Sequence, residues 1–285
     1  MEPAYRLHAV QEMSTLDGVL DNLDAVAQSA EHARFWWLPH SEKTLVWRAN
    51  RTEEPVKSGA NGWVRDRLLG YYTLEFLYYL SRSAPGRLVP WINRRYASLI
   101  GTNEPEVVDR SDKVFNFDCL FRQHVNEWAI PYERTGEALR LLRDAIAERD
   151  FKVHFPIEVR FVKEDKIWLS PAYGRPVTYI GIIMYRPYGK ETPIRAYWDE
   201  YERIMASLGG RPHWAKAHGF RPADFERAYP RWADWLRVRR QVDPRGMFLN
   251  EYLERCVVST DEQDKAAAEN GEDRIVPKRT VRAKL

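Results

Sequence analysis

The stretch Val153–Val162 constrains the fold more than any other part of the sequence. Val153, Phe155, Ile157, Val159 and Phe161 stand at alternate positions, with His154, Glu158 and Arg160 between them. Side chains on a β-strand alternate between faces with a period of two. The run therefore predicts a strand with one apolar face on a core and one polar face, where Glu158 and Arg160 lie roughly 7 Å apart at Cα. An acid and a base on a rigid strand make a preorganised pair able to bind a hydroxyl and position it for reaction. The same pattern also describes a solvated face with a weak ion pair.

The flanking sequence supplies the partners such a strand needs. Tyr5–Met13 reads as a half-buried strand. Ser14-Thr15-Leu16-Asp17 reads as a helix start, with Leu16, Val19, Leu20, Leu23 and Val26 following at helical spacing. Ala33–Leu38 and Lys43–Arg48 read as strands around a turn at Pro39-His40-Ser41. A second unit runs from a strand-like Phe115–Ala129 through a helix opened by Pro131 and Glu133, with Leu139, Leu142 and Ile146 on one face. It continues through strands at 153–162, Lys166–Leu169 and Val177–Tyr185, and a helix from Pro193 to Leu208 closed by Gly209-Gly210. Two such units predict an α+β fold, an antiparallel sheet with helices packed on one face.

Residues 60–101 interrupt this repeat as a helical, aromatic insertion. The run Leu68, Leu69, Tyr71, Tyr72, Leu74, Phe76, Leu77, Tyr78, Tyr79, Leu80 is broken mainly by Glu75 and flanked by Arg67 and Arg82. It is too short to span a bilayer, which takes about 20 apolar residues. It predicts contact of 63–100 with a membrane surface or hydrophobic partner, with Arg82, Arg87, Arg94 and Arg95 nearby, or a helix pair buried in the domain. From Arg211 the character changes. A helix is expected over Pro222–Arg240, a turn at Asp243-Pro244-Arg245-Gly246 and a packed strand or helix over Met247–Val258. Ser259–Leu285 has almost no large apolar residue and reads as a disordered tail. The expected divisions are 1–208, 209–258 and 259–285.

Composition narrows the function. With 285 residues the chain can bury a real core, and its 44% hydrophobic and 30% charged content is that of a globular protein. The 11 Trp and 15 Tyr suit sugar-facing pockets and membrane interfaces. A net charge of +3 provides no concentrated basic stripe, and Arg237-Val238-Arg239-Arg240 reads as a solvated helix face, so no nucleic-acid partner is expected. Two distant cysteines, Cys119 and Cys256, form neither a disulfide framework nor a metal-site spacing, and fit a reducing compartment. Met1–Val10 has no apolar run of the signal-peptide kind, so either the protein is not secreted, and an intracellular place is expected, or the true N-terminus lies outside this sequence.

A second polar motif is Arg211-Pro212-His213-Trp214-Ala215-Lys216-Ala217-His218. His213 and His218 are five apart, which is not the spacing of a zinc pair on a helix, and no metal site is expected. Lys216 is a candidate for stabilising developing negative charge. The sequence has no Gly-x-Gly-x-x-Gly fingerprint, phosphate-cradling glycine loop, Gly-x-Ser-x-Gly elbow or cysteine-nucleophile context.

Taken in order, several segments resemble the aldonolactone oxidases, the L-gulonolactone and D-arabinono-1,4-lactone oxidase type. They are Phe35–Glu42, Glu127–Pro131, Phe155–Phe161 with its Glu-x-Arg core, Ile183–Lys190, Gly209–His218 and Asp243–Asn250, and the likeness runs from about Leu7 to Val258. The resemblance implies a vanillyl-alcohol-oxidase-type flavoprotein: an N-terminal domain binding FAD, a cap domain over the substrate, and a C-terminal segment returning to the FAD domain. This chain corresponds to the cap onward, so most of the FAD site is expected outside it, and the isolated chain is expected to be inactive. The implied reaction is FAD-dependent oxidation of an aldono-1,4-lactone at its C2 hydroxyl to an ascorbate-type product, with O2 as acceptor. The resemblance assigns Glu158, Arg160 and Lys216 to catalysis, and places His213, His218, Trp214 and Asn250 near substrate or flavin. It further implies an endoplasmic-reticulum-type membrane association. Ala283-Lys284-Leu285 offers a peroxisome-type address as the alternative. The alternative function is a truncated, non-catalytic module binding a membrane or a partner.

Overall fold

The computed structural model describes residues 3–57, 70–100, 106–116 and 122–258. Residues 61–69 of the aromatic insertion, Cys119, and the tail 259–285 with Ala283-Lys284-Leu285 lie outside the described residues. The chain forms two compact units, Met1–His218 and Gly219–Leu285.

The first unit is built on one eight-stranded sheet. Its strands are β1 (Arg6–Ser14), β2 (His32–Trp37), β3 (Thr44–Thr52), β4 (Val107–Arg110), β5 (Gln123–Pro131), β6 (Ile157–Val162), β7 (Val177–Tyr185) and β8 (Arg211–Pro212). The order across the sheet is β4-β1-β3-β2-β6-β7-β5-β8, and every neighbouring pair is antiparallel. The two expected units thus join through the β2–β6 pair.

One face is covered by helices. Thr15 caps α1 (Leu16–Asp21) by accepting from Gly18 N, one residue after Ser14, the hydroxyl three residues ahead of Asp17 that the sequence pattern marks as the cap. The expected single helix then breaks at Asn22, and α2 (Leu23–Ala27) follows. After the insertion helices, α6 (Thr135–Glu148) and α7 (Arg195–Ser207) continue this layer, whereas a short α5 (Ser111–Val114) packs through Val114 against Leu7, Ala9, Trp47 and Ala49 on the other face. Leu139, Leu142 and Ile146 are buried on one side of α6, each contributing roughly 1.5–3 kcal/mol by leaving water. Thr135 of α6 donates to Thr178 of β7, and Tyr201 of α7 donates to the Ile180 carbonyl. At the end of α7, Gly209 takes φ +73°, and a Cβ on Gly210 would lie 2.6 Å from the Met205 carbonyl oxygen. Only glycine fits this close turn, which delivers Arg211–Pro212 to the edge of β5.

The insertion forms α3 (Thr73–Ser81) and α4 (Pro85–Leu99). Leu74, Tyr78, Val89, Ile92 and Ala97 pack with Leu38, Phe155 and Tyr185, so part of the aromatic run is core. Tyr72, Phe76, Tyr79 and Leu80 stay exposed.

Several expectations are corrected. The strand expected over 153–162 begins only at Ile157, because Val153–Pro156 leaves the ladder and packs under α3 and α4. His154 therefore does not join Glu158 and Arg160. It is buried, stacks 4.0 Å from Tyr78 and accepts from the Tyr185 amide. The strand expected over 115–129 exists only from Gln123. Lys166–Leu169 is not a strand but part of a loop closed by Asp165, which accepts from Ile167 N and Ser170 Oγ. In the second unit, the single helix expected over 222–240 divides into α8 (Pro222–Ala228) and α9 (Trp232–Val242), because Pro230 has no N–H to continue it. Arg237 and Arg240 are exposed on α9, as a solvated face requires. Met247–Val258 resolves as helix α10 (Glu251–Val257).

Burial pushes His154 down to about 3 and His40 down to about 4 from an ordinary 6.5, with Lys152 and Arg94 adding to the effect at His40. Between those values the unfolded chain binds protons that the folded chain refuses, so this contribution is full above about pH 6.5 and is lost as pH falls. For His154 alone the loss at about pH 5 is roughly 2 kcal/mol. Thermal melting should show a clear drop from about pH 7 to about pH 5 that shrinks in His154→Phe. Equal pH sensitivity in the two proteins would remove His154 from this account.

Candidate active site

Strand register lays out the site. Trp36 of β2 pairs with Glu158 of β6, Glu158 with Gly181 of β7, and Gly181 with Glu127 of β5. Two positions along, Arg34, Arg160, Tyr179 and Ala129 form the next row. Period-two alternation places both rows on the sheet face opposite α6 and α7.

Charge alternates along this face. Arg34 Nη1 lies 3.5 Å from Glu158 Oε1, and Arg160 Nε lies 3.9 Å from Glu158 Oε2. Arg160 Nη2 donates to Glu127 Oε1. The guanidinium of Arg34 sits 4.8 Å over the Trp36 ring and 4.3 Å over the Trp47 ring, and its side chain is only 12% exposed. Burial lowers Arg34 to about 10 against the pull of Glu158, with Arg160 adding to the lowering. For Arg160, burial works downward, but attraction and hydrogen bonding to Glu127, with help from Glu158, carry the net shift upward. Its charge is secured by the two acids.

The loop after β8 closes one side. His213 N donates to the Glu127 carbonyl at 3.0 Å, and Lys216 N donates to the His213 carbonyl at 3.0 Å. Ala215 N donates to His213 Nδ1 at 3.0 Å. A neutral ring accepting at Nδ1 carries its proton on Nε2, which leaves His213 able to donate through that nitrogen. Burial lowers the His213 pKa. Glu127 opposes this, and Lys216 and Arg160 reinforce it. The Tyr179 ring lies 6.1 Å from that of His213, with the Arg160 guanidinium 5.5 Å over it.

The structure thus gathers Glu158, Arg160 and His213 on one face, with Lys216 close enough to act on His213. Trp214 has a different place: its Nε1 donates to the Leu169 carbonyl at 2.8 Å and ties the motif to the loop before β7. His218 is buried as the last residue of this unit. Asn250 lies in the second unit and caps α10 by accepting from Leu253 N. Among the described residues no cluster has the make-up of a metal site. Nothing local in the sequence marks Arg34, Glu127 and Tyr179 as site residues. Each occupies an alternate position of its own strand, but only the register of strands distant in sequence brings them to Glu158 and Arg160.

Among solved structures, the fold resembles cholesterol oxidase from Brevibacterium sterolicum, with TM-scores of 0.69 and 0.66 at 14% and 13% identity, covering 90% of this chain and 60% of that one. The likeness is one of architecture, a mixed fold of helices and antiparallel sheet. The family model for D-arabinono-1,4-lactone oxidase matches residues 1–256, and the chain belongs to that family. It is 50% identical over 254 residues to L-gulonolactone oxidase of Scyliorhinus torazame and 48% identical over 255 residues to that of Bos taurus, in each case over 89% of this chain and 57% of the relative. It is 33% identical over 259 residues to L-gulono-1,4-lactone dehydrogenase of Mycobacterium tuberculosis, over 90% of this chain and 58% of the relative. The chain therefore spans a little under three-fifths of the length of these relatives.

Proposed function

We propose that this chain binds an aldono-1,4-lactone on the Glu158–Arg160 face and presents its C2 hydroxyl for FAD-dependent oxidation to an ascorbate-type product, with O2 as final acceptor. The observation that carries the reading is the alternating row Arg34, Glu158, Arg160, Glu127, a set of rigid donors and acceptors suited to a polyhydroxylated ring. Arg160 donates to the C2 oxygen and stabilises negative charge developing on it. Glu158 accepts from a substrate hydroxyl and fixes the ring orientation. Neutral His213, donating through Nε2, adds a further hydrogen bond.

Bound flavin supplies the two-electron acceptor for the C2 hydrogen. The face fits the ring end of that cofactor: two arginines and Lys216 outweigh two acids in charge, which favours a group that gains electrons. Lys216 and His213 are the residues that would approach it. No residue of this chain is assigned to the phosphates. In the second unit, the Asp243 carboxylate holds a tight turn by accepting from Met247 N at 2.8 Å and Phe248 N at 3.1 Å, yet Met247 and Phe248 are 70% and 81% exposed. Rigidly presented apolar side chains of this kind suit docking to the flavin-binding part.

The insertion adds a membrane-surface reading. No helix of the described residues is long and apolar enough to cross a membrane. Tyr72, just before α3, makes one exposed stripe with Phe76, Tyr79 and Leu80 on it, and on α4 Arg87, Trp91, Arg94 and Arg95 make another. Aromatic residues beside arginines suit an anionic lipid surface.

In enzyme assembled with its flavin-binding part, Glu158→Gln and Arg160→Ala should each lower lactone turnover by about a hundredfold with flavin content unchanged. Near-normal kinetics in both would refute the site. Flotation with phosphatidylserine vesicles should recover the chain, and Phe76→Ser with Trp91→Ser should abolish recovery. Unaltered flotation of that variant would end the membrane reading.

A further inference from the structure

We infer that Glu127 is a positioning residue, holding the Arg160 guanidinium toward the substrate hydroxyl across a gap left by Gly181. This rests on the functional reading above and adds to it a residue outside the Glu-x-Arg strand.

Glu127 projects from β5, two strands away from Arg160 on β6. The intervening strand carries Gly181 in register with both Glu158 and Glu127. A Cβ at that position would stand 3.9 Å from Glu127 Oε1 and 3.8 Å from its Cγ, in van der Waals contact. A branched side chain would extend into the space through which Arg160 reaches its acceptor. The missing side chain therefore opens the path for a contact between non-adjacent strands.

Burial sets the direction of this contact. The Glu127 side chain is 7% exposed, whereas that of Arg160 is 41% exposed. A buried carboxylate is costly unless a charged donor meets it, and Arg160 meets it. A guanidinium is a planar fork with five N–H donors. Anchoring one edge on a buried acid fixes the plane and leaves donors for the open side, as preorganised stabilisation of a reacting oxygen requires. The main chain of the same residue also works for the site: the Glu127 carbonyl accepts from His213 N. One position on β5 thus holds Arg160 with its side chain and the His213–Lys216 loop with its backbone.

A residue that only stabilised the sheet would weaken the fold without acting through Arg160, and a double-mutant cycle separates the two roles. In flavin-loaded enzyme, Glu127→Gln should lower kcat by roughly tenfold to a hundredfold with KM changed less. In an Arg160→Ala background the same substitution should cost less than about twofold in kcat. Gly181→Val, which leaves every charge in place, should reproduce the kcat loss even if Glu127→Gln folds poorly. Multiplicative losses in the cycle, or full kcat in folded Gly181→Val, would overturn the proposal. A second readout needs no turnover. In the 285-residue chain labelled with 15N-arginine, slow-exchanging Arg160 guanidinium signals should be seen and should vanish in Glu127→Gln. If they persist, Glu127 does not hold Arg160. If the signals vanish as expected but wild-type enzyme turns over no aldonolactone, the positioning contact stands and the functional reading fails.

Discussion

The proposed substrate-binding face depends on the pairing of β6 between β2 and β7. That register sets Arg34 beside Glu158 and leaves Gly181 between Glu158 and Glu127. A slip of one residue would turn Glu158 and Arg160 toward α6 and α7, where Ile157 and Val159 are fully buried. The apolar alternation of β6 thus does two things at once: it anchors the strand to the helix layer and aims its charged residues the other way. The charges are tolerable there because they neutralise one another in sequence, with the Trp36 and Trp47 rings flanking the most enclosed cation, Arg34.

How much of this was legible in the sequence follows from the range of the interactions. The Gly209-Gly210 stop after α7 and the alternation of Ile157–Val162 are local, and each stands as expected, while the helix start at α1 is found with its cap shifted by one residue to Thr15. Glu158 and Arg160 were legible as a pair because they share one strand. Arg34 and Glu127 were not, since they come 124 and 33 residues away from their partners and only pairing order joins them. His154 misled for a related reason. It continues the alternating pattern in sequence, but Val153–Pro156 leaves the ladder and the insertion helices cover it. Lys166–Leu169 had strand-like composition, and Asp165 folds it into a loop instead.

Sequence and fold carry different weight here. The likeness to cholesterol oxidase at 14% identity speaks for shared architecture alone. Half-identity to L-gulonolactone oxidases over 254 residues speaks for a shared family. The proposed chemistry rests on the face itself, where the fold supplies rigid strands and the charged residues supply donors and acceptors. The shallow recess lined by Asp17, His40, Arg143 and Asp150 lies instead on the helix side, where Trp37 and Ile146 also line it.

The most direct test is a crystal structure of flavin-loaded enzyme soaked with an aldono-1,4-lactone. The account predicts the lactone on the β6–β7 face, with its C2 oxygen within hydrogen-bond distance of Arg160 and a ring hydroxyl on Glu158. A lactone bound elsewhere, such as in the recess beside Arg143, with Arg160 still turned to Glu127 and touching no ligand, would contradict it.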